Sequence, residues 1–293
     1  MNKKSRASIL LLLFGNCLPV VLPAETTLES YKHANLLTVY TVTERQESTL
    51  PLAPGDQVNN LAVGDKVLTL SGKGLTSLDG IAKLRVIDGG RAVSLTELKN
   101  LQIFLNDNAL SRLPNELFEM QNVTFLYLNH NRFDAIPPDI ARMRGLQGMY
   151  FTDNRIARIP PEVFTMRGLR KLQASRNHLT ELPEAIGNLT NLIHLNLSEN
   201  AIGALPDSVA KLTKLRVCDF SDNRITHLPE GFGQVRILYQ LRVRNNPLTA
   251  LPAGFADMPG TIDITGTKID PGRLSTLLRA KISTEKAPKK TER

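Results

Sequence analysis

Asparagine recurs as Asn108, Asn131, Asn154, Asn177, Asn200, Asn223 and Asn246, each 23 residues after the last. A proline follows each one six residues later, from Pro114 to Pro252. A period held through seven units with two markers in phase restricts the chain to folds built from one repeating coil. Around each Asn the unit reads L-x-x-L-x-L-x-x-N-x-L-x-x-L-P-x-x-(I/V/F/L)-x-x-(L/M/V)-x-x, shown whole by Leu192, Leu195, Leu197, Asn200, Ile202, Leu205 and Pro206. The L-x-L core alternates, so Leu195 and Leu197 point one way and Asn196 the other, as in a strand. Proline fixes φ and lacks the donor that the start of a helical turn leaves unpaired. An acid close behind it (Glu116, Asp139, Glu162, Glu184, Asp207, Glu230) favours such a turn through the helix dipole. One unit is therefore one strand, one turn and one short helical return.

The apolar positions of a unit have nowhere to hide except against neighbouring coils, so the units must stack. Each buried side chain contributes about 1.5–3 kcal/mol, most of it offset by chain entropy. The Asn marks where strand becomes return. A buried amide there is costly unless it is hydrogen-bonded, and stacking brings the backbone of the adjacent coil within reach. A structural Asn ladder from Asn108 to Asn246 is expected to set the register.

The unit resembles the leucine-rich-repeat family, in the subclass with L-P-x-x-(I/F)-x-x-L returns found in Ras-suppressor-type animal proteins, related plant proteins and many bacterial proteins. The resemblance implies an α/β solenoid: a curved horseshoe with parallel strands on the concave face and short helical or 3-10 returns on the convex face. The repeats are expected over residues 65–269, about nine of them, regular over 100–258. Leu68 to Leu78 form a unit with Lys73 in the Asn position, and Leu84 to Leu101 read as a truncated coil. Ile262 to Ile269 read as a last strand two residues early. Asp270-Pro271 makes a helix start, and Leu274, Leu277, Leu278 and Ile282 lie at helical spacing. A capping helix over 270–282 is expected to cover the open end. Residues 25–64 are expected to form the opposite cap, and 283–293 a disordered basic tail.

The first 24 residues carry Lys3, Lys4 and Arg6, then a largely apolar stretch from Ala7 to Val21, then Leu22-Pro23-Ala24. That is the charge–apolar–small order of an export signal cleaved after Ala24. The alternative, lipidation at Cys17, fits poorly because the preceding residues are Phe14-Gly15-Asn16. Cleavage leaves Cys218 as the one thiol, so no internal disulfide is expected. No other apolar run approaches membrane-spanning length, so the processed chain is not expected to be an integral membrane protein. The expected location is the periplasm or the outside of the cell. Asn122-Val-Thr, Asn188-Leu-Thr and Asn196-Leu-Ser are formal glycan acceptors, which keeps eukaryotic secretion open, although the short Lys-rich signal looks bacterial.

The formal charge of +8 is confined to the ends: residues 25–270 hold 26 basic and 26 acidic side chains. A neutral body argues against a dedicated nucleic-acid role. On the expected concave face, the residue between the strand leucines runs Phe104, Tyr127, Tyr150, Gln173, Asn196, Asp219, Arg242, with Phe125 beside Tyr127. Solvent-facing aromatics in a chain with only 5% aromatics are expected to mark contact with a protein partner. The site so defined comprises Phe104, Phe125, Tyr127, Tyr150 and Gln173, with the rim residues His130, Arg132 and Arg155. The competing reading is that the rings stack merely to cover the sheet.

Catalytic and metal motifs are missing from the sequence. His33, His130, His178, His194 and His227 form no ligand cluster, and no nucleophile elbow, phosphate loop or dinucleotide turn occurs. Cys218-Asp219 resembles the Cys-x-Asp of some repeat-containing bacterial ligases only superficially, because Cys218 holds an inward strand position. Neither a cofactor nor a metal is expected, and the chain reads as noncatalytic. The expected function is an exported module that binds a protein of unknown identity through its concave face. The alternative is a secreted bacterial virulence effector that engages a host protein.

Overall fold

The computed structural model describes Thr26–Thr27, Tyr40–Thr41 and residues 65–283 apart from Gly89, Arg236 and Ile237. The expected export signal, most of the expected N-terminal cap and residues 284–293 lie outside the described residues. An eleven-stranded sheet runs the length of the described chain. Its parallel strands are β3 (Lys66–Thr69), β7 (Leu101–Phe104), β8 (Val123–Tyr127), β9 (Gly148–Tyr150), β10 (Lys171–Gln173), β11 (His194–Asn196), β12 (Val217–Asp219), β13 (Gln240–Arg242), β14 (Thr261–Asp263) and β15 (Ile282–Ser283). One antiparallel strand, β2 (Tyr40–Thr41), closes the edge at β3. The two-residue β1 (Thr26–Thr27) pairs with β4 (Leu75–Ser77) outside this sheet.

The register repeats the sequence period. Phe125, Gly148, Lys171, His194, Val217 and Gln240 lie opposite one another in turn. Gln240 then meets Thr261, two residues early, as the spacing predicts. Inward strand residues such as Leu126, Leu172, Leu195, Cys218 and Leu241 are at most 1% exposed and belong to one continuous core. The first regular return is a four-residue α-helix, Asn115–Phe118, and each of the six that follow is a five-residue 3-10 turn, for example Pro161–Thr165, Glu184–Asn188 and Asp207–Lys211, each entered from an extended proline. Five residues are too few for an α-helix stable by itself but suit a 3-10 turn. The chain is thus an α/β solenoid of parallel strands and short 3-10 returns.

Between strand and return, the residue before each Asn enters the left-handed region, with φ of 51–57° from Asp107 to Asn245. The Asn then clamps two coils together. Asn177 Oδ1 accepts the Ile156 N–H of the preceding coil at 2.9 Å. Its Nδ2 donates to the preceding coil at Phe151 O (2.8 Å) and to its own coil at Ala174 O (3.2 Å) and Ser175 O (2.9 Å). The same pattern recurs at Asn131, Asn154, Asn200, Asn223 and Asn246. At Asn108 the acceptor takes two donors, the N–H groups of Lys73 and Leu75.

Two end elements differ from the sequence expectation. Residues 85–94 do not form a truncated coil. They leave the sheet as an antiparallel hairpin, β5 (Arg85–Asp88) with β6 (Arg91–Ser94), and β3 pairs directly with β7. Gly90 at φ 82° turns the hairpin, a conformation that favours glycine. Lys66 Nζ, 2.8 Å from Asp88 Oδ1, ties the hairpin to β3. At the other end no single helix covers 270–282. Asp270 caps a 3-10 turn at Pro271–Arg273, Ser275 caps a separate one-turn helix at Thr276–Arg279, and Ile282–Ser283 joins the sheet. Two N-caps five residues apart interrupt what the leucine spacing presents as one helix. Leu278 is buried, but Leu277 is 64% exposed. Ser283, expected in the tail, belongs to the last strand.

Candidate functional site

The aromatic column lies on the concave side of the sheet, but solvent does not reach it. Phe104, Tyr127 and Tyr150 are 6%, 0% and 1% exposed and form a small second core with Phe125 and Val67. Tyr127 stacks between Phe104 (centroids 4.0 Å apart) and Tyr150 (4.4 Å). Parallel strands hold equivalent side chains about 4.8 Å apart, close to the separation of stacked rings, so each ring covers its neighbour's face. Phe125 lies beside Tyr127 at 6.4 Å and is half-buried. Its ring spreads over Gly148, where a Cβ would stand 2.4 Å from Phe125 Cδ1. The Tyr127 hydroxyl donates to Gln102 Oε1, and Gln102 Nε2 donates to Asp65 Oδ2. The exposed aromatic patch of the sequence reading is thus corrected to a ring stack that covers the sheet.

Gln173 follows Tyr150 in the same column and is also buried, with no hydrogen-bond partner for its Oε1 among the described residues. Arg132 and Arg155 are exposed on the rim where strands pass into returns. His130 Nδ1 lies 3.0 Å from Asp153 Oδ2 on the next coil. Arg176 Nε donates to Glu199 Oε1 at 2.9 Å, and Asn245 Nδ2 to Asp222 Oδ1 at 2.8 Å. The mixed charges of this rim pair across coils with one another.

The opposite edge, where strands begin, holds residues that the sequence reading did not single out. A cleft of about 420 Å³ there is lined by Arg170, Lys171, His194, Arg216, Phe125 and Asp65, among others. Residues such as Arg170 and Arg216 follow an inward leucine by one position, and Lys171 and His194 by two, so their side chains lie outside the core. Successive coils bring them onto neighbouring strands. Arg170 and Arg216 make no ion pair with any described residue, and Arg216 sits 6.0 Å from the ring of Tyr239, which is 54% exposed. The crowding is visible in the titration of its members. Burial, then Arg170, lowers Lys171 to about 8. Burial, then Lys171, Arg216 and Arg170, lowers His194 to about 4. The signal available in sequence was the column itself: Lys171 and His194 are one period apart, and Arg170 and Arg216 two periods apart.

Burial raises the Cys218 thiol well above its ordinary value, which removes it as a nucleophile. The carboxyl of Asp219 is raised by burial too, against the opposing pull of hydrogen bonds from Ser221 and of Arg242. Among the described residues there is no group of three or more His, Cys, Asp or Glu placed to hold a metal. No helix among them is long and apolar enough to cross a membrane.

A family model described as a leucine-rich repeat region matches residues 163–246, and a second, Leucine Rich Repeat, matches 122–143. No curated protein sequence gives a significant match. Among solved structures, a leucine-rich repeat protein of Leptospira interrogans superposes with a TM-score of 0.63 at 28% identity over 71% of this chain. The match spans about half of that protein, 52% of its length. Two internalins of Listeria monocytogenes superpose at 20% identity. One (inlF) has a TM-score of 0.59 and covers 78% of this chain and 71% of its own. The other (inlC2) has a TM-score of 0.55 and covers 69% and 78%. The internalins establish likeness of fold alone.

Proposed function

Since the chain is a leucine-rich repeat protein, we propose that it is a noncatalytic module that docks a protein partner on its concave face after export from the cytoplasm. The observation that carries this reading is the sheet face itself. Every regular coil presents side chains at the same positions, in a register clamped by the Asn amides. A rigid face loses little entropy on binding, and its breadth suits a macromolecule better than a small enclosed substrate. The sealed thiol of Cys218 supports a noncatalytic role. Export rests on the order of residues in Met1–Ala24.

Photo-crosslinking tests the docking face. A crosslinker at Val217 or Gln240, half-buried on the concave side, is expected to trap a partner in the native cell. One at Asp207 or Glu230, exposed on the returns, is expected to trap none. Adducts from the returns alone would reverse the assignment. Fractionation tests export: the chain should leave the cytoplasm with Glu25 as its first residue, and a cytoplasmic chain that retains Met1–Ala24 would refute it.

A further inference from the structure

We propose that the cleft at the strand-entry edge, centred on Arg170, Lys171, His194 and Arg216, receives carboxylate side chains from an extended acidic segment of the protein partner. The inference rests on the concave-face reading above and specifies its chemistry.

Geometry comes first. Arg170 precedes β10 and Arg216 precedes β12, so two strand spacings, about 10 Å, separate their coils. A segment in the polyproline II conformation turns once every three residues and rises about 3.1 Å per residue, so two acids three residues apart lie on one side about 9 Å from each other and match that separation. Both guanidiniums are exposed at the mouth, whereas Lys171 and His194 are half-buried between them. Each Arg offers a planar fork that pairs a carboxylate through two parallel hydrogen bonds.

The charges of this cleft suit an anionic ligand. Lys171 and His194 are held below their usual values by their burial and by cationic neighbours, so an incoming anion relieves repulsion already built into the site. Lys214 adds a further cation along the same edge, in a smaller cleft that shares Arg170 and Ile193. The positive zone is short. Asp65 bounds it on one side, and past Arg216 the matching strand-entry positions, Val217, Tyr239, Gln240 and Thr261, carry no charge. A long polyanion laid along this edge would run past the cations, whereas a short acidic segment would not. Tyr239, exposed beside Arg216, adds an aromatic surface that a peptide can pack against.

The test uses the processed chain and fluorescence anisotropy with a labelled Gly/Ser peptide that carries two Asp three residues apart. Its Asn counterpart, a sulfated oligosaccharide and inorganic phosphate are run in parallel. The Asp peptide is expected to bind and the Asn peptide not. Arg170→Gln with Arg216→Gln should weaken binding at least tenfold, and raising salt should weaken it further because exposed charges are screened beyond about 8 Å at physiological ionic strength. Both residues are exposed, and an unchanged melting temperature will show that the double variant is folded. His194, followed by NMR, should titrate above its free value of about 4 when the peptide is bound, since a bound carboxylate favours the imidazolium. Sulfated oligosaccharide or phosphate binding without peptide binding overturns the proposal. So does the absence of binding to every probe, or peptide binding that the double variant leaves intact. If crosslinks from Val217 and Gln240 persist under those outcomes, the acidic-segment inference fails alone. If those crosslinks are absent, the docking reading beneath it fails as well.

Discussion

Replacing Asn177 by Ala tests how the solenoid holds its register. The side chain is 6% exposed and makes four hydrogen bonds, two of them to the preceding coil. The carbonyls it serves have second donors. Phe151 O keeps Asn154 Nδ2 at 3.0 Å, Ala174 O keeps Asn200 Nδ2 at 2.9 Å, and Ser175 O keeps the Asp153 N–H at 3.0 Å. The Ile156 N–H keeps nothing. One orphaned buried donor costs about 1–3 kcal/mol, and the lost bonds to already satisfied carbonyls add about 1 kcal/mol between them. The expected loss is about 2–4 kcal/mol, read from urea unfolding by circular dichroism. Asn177→Asp separates the two halves of the amide, because it retains an acceptor for Ile156 but sets a carboxylate against three carbonyl oxygens. Those oxygens disfavour the charged form, so the folded-state pKa of the new carboxyl lies above its unfolded value. Protonation then stabilises the folded chain, and the deficit of Asn177→Asp should shrink as pH falls from 7 toward 4. A loss below about 0.5 kcal/mol for Asn177→Ala, against the 1–3 kcal/mol expected of one orphaned donor, would refute the ladder's role in register. Neutral-pH stability of Asn177→Asp equal to wild type would refute the same point.

Gly148→Ala should destabilise by about 1–3 kcal/mol, the usual cost of overpacking, because its Cβ falls on the Phe125 ring. The effect should largely vanish in a Phe125→Ala background; an unchanged cost there, measured by thermal melting, would place the strain elsewhere. Cys218, fully buried with its thiol raised, should resist thiol reagents at pH 8 until denaturant unfolds the repeats. Rapid labelling of the peptide containing it in native buffer would contradict that placement.

The repeating coil was legible because the Asn and Pro positions carry their own physical reasons, an amide between coils and a proline that opens a return. The hairpin at Arg85–Ser94 was not, because Leu84 and Leu101 imitate strand leucines of one shortened coil. Leu274, Leu277 and Leu278 likewise imitate one helix, and only Asp270 and Ser275 as separate caps break it. Alternation correctly assigned Tyr127 and Tyr150 to the concave side. It carried no information on whether ring would cover ring, which depends on the spacing between strands. The basic cleft was hidden by summation. Arg170, Lys171 and Arg216 are cancelled in the net charge by acids such as Asp153 and Glu199, which the fold places on the opposite rim.

Within the described residues, the strand beside β3 runs against all the others in the long sheet. A further parallel coil cannot add its ladder directly to β3 while Tyr40–Thr41 is paired there. That antiparallel strand therefore opposes the docking of a second copy's parallel sheet, head to tail, on β3.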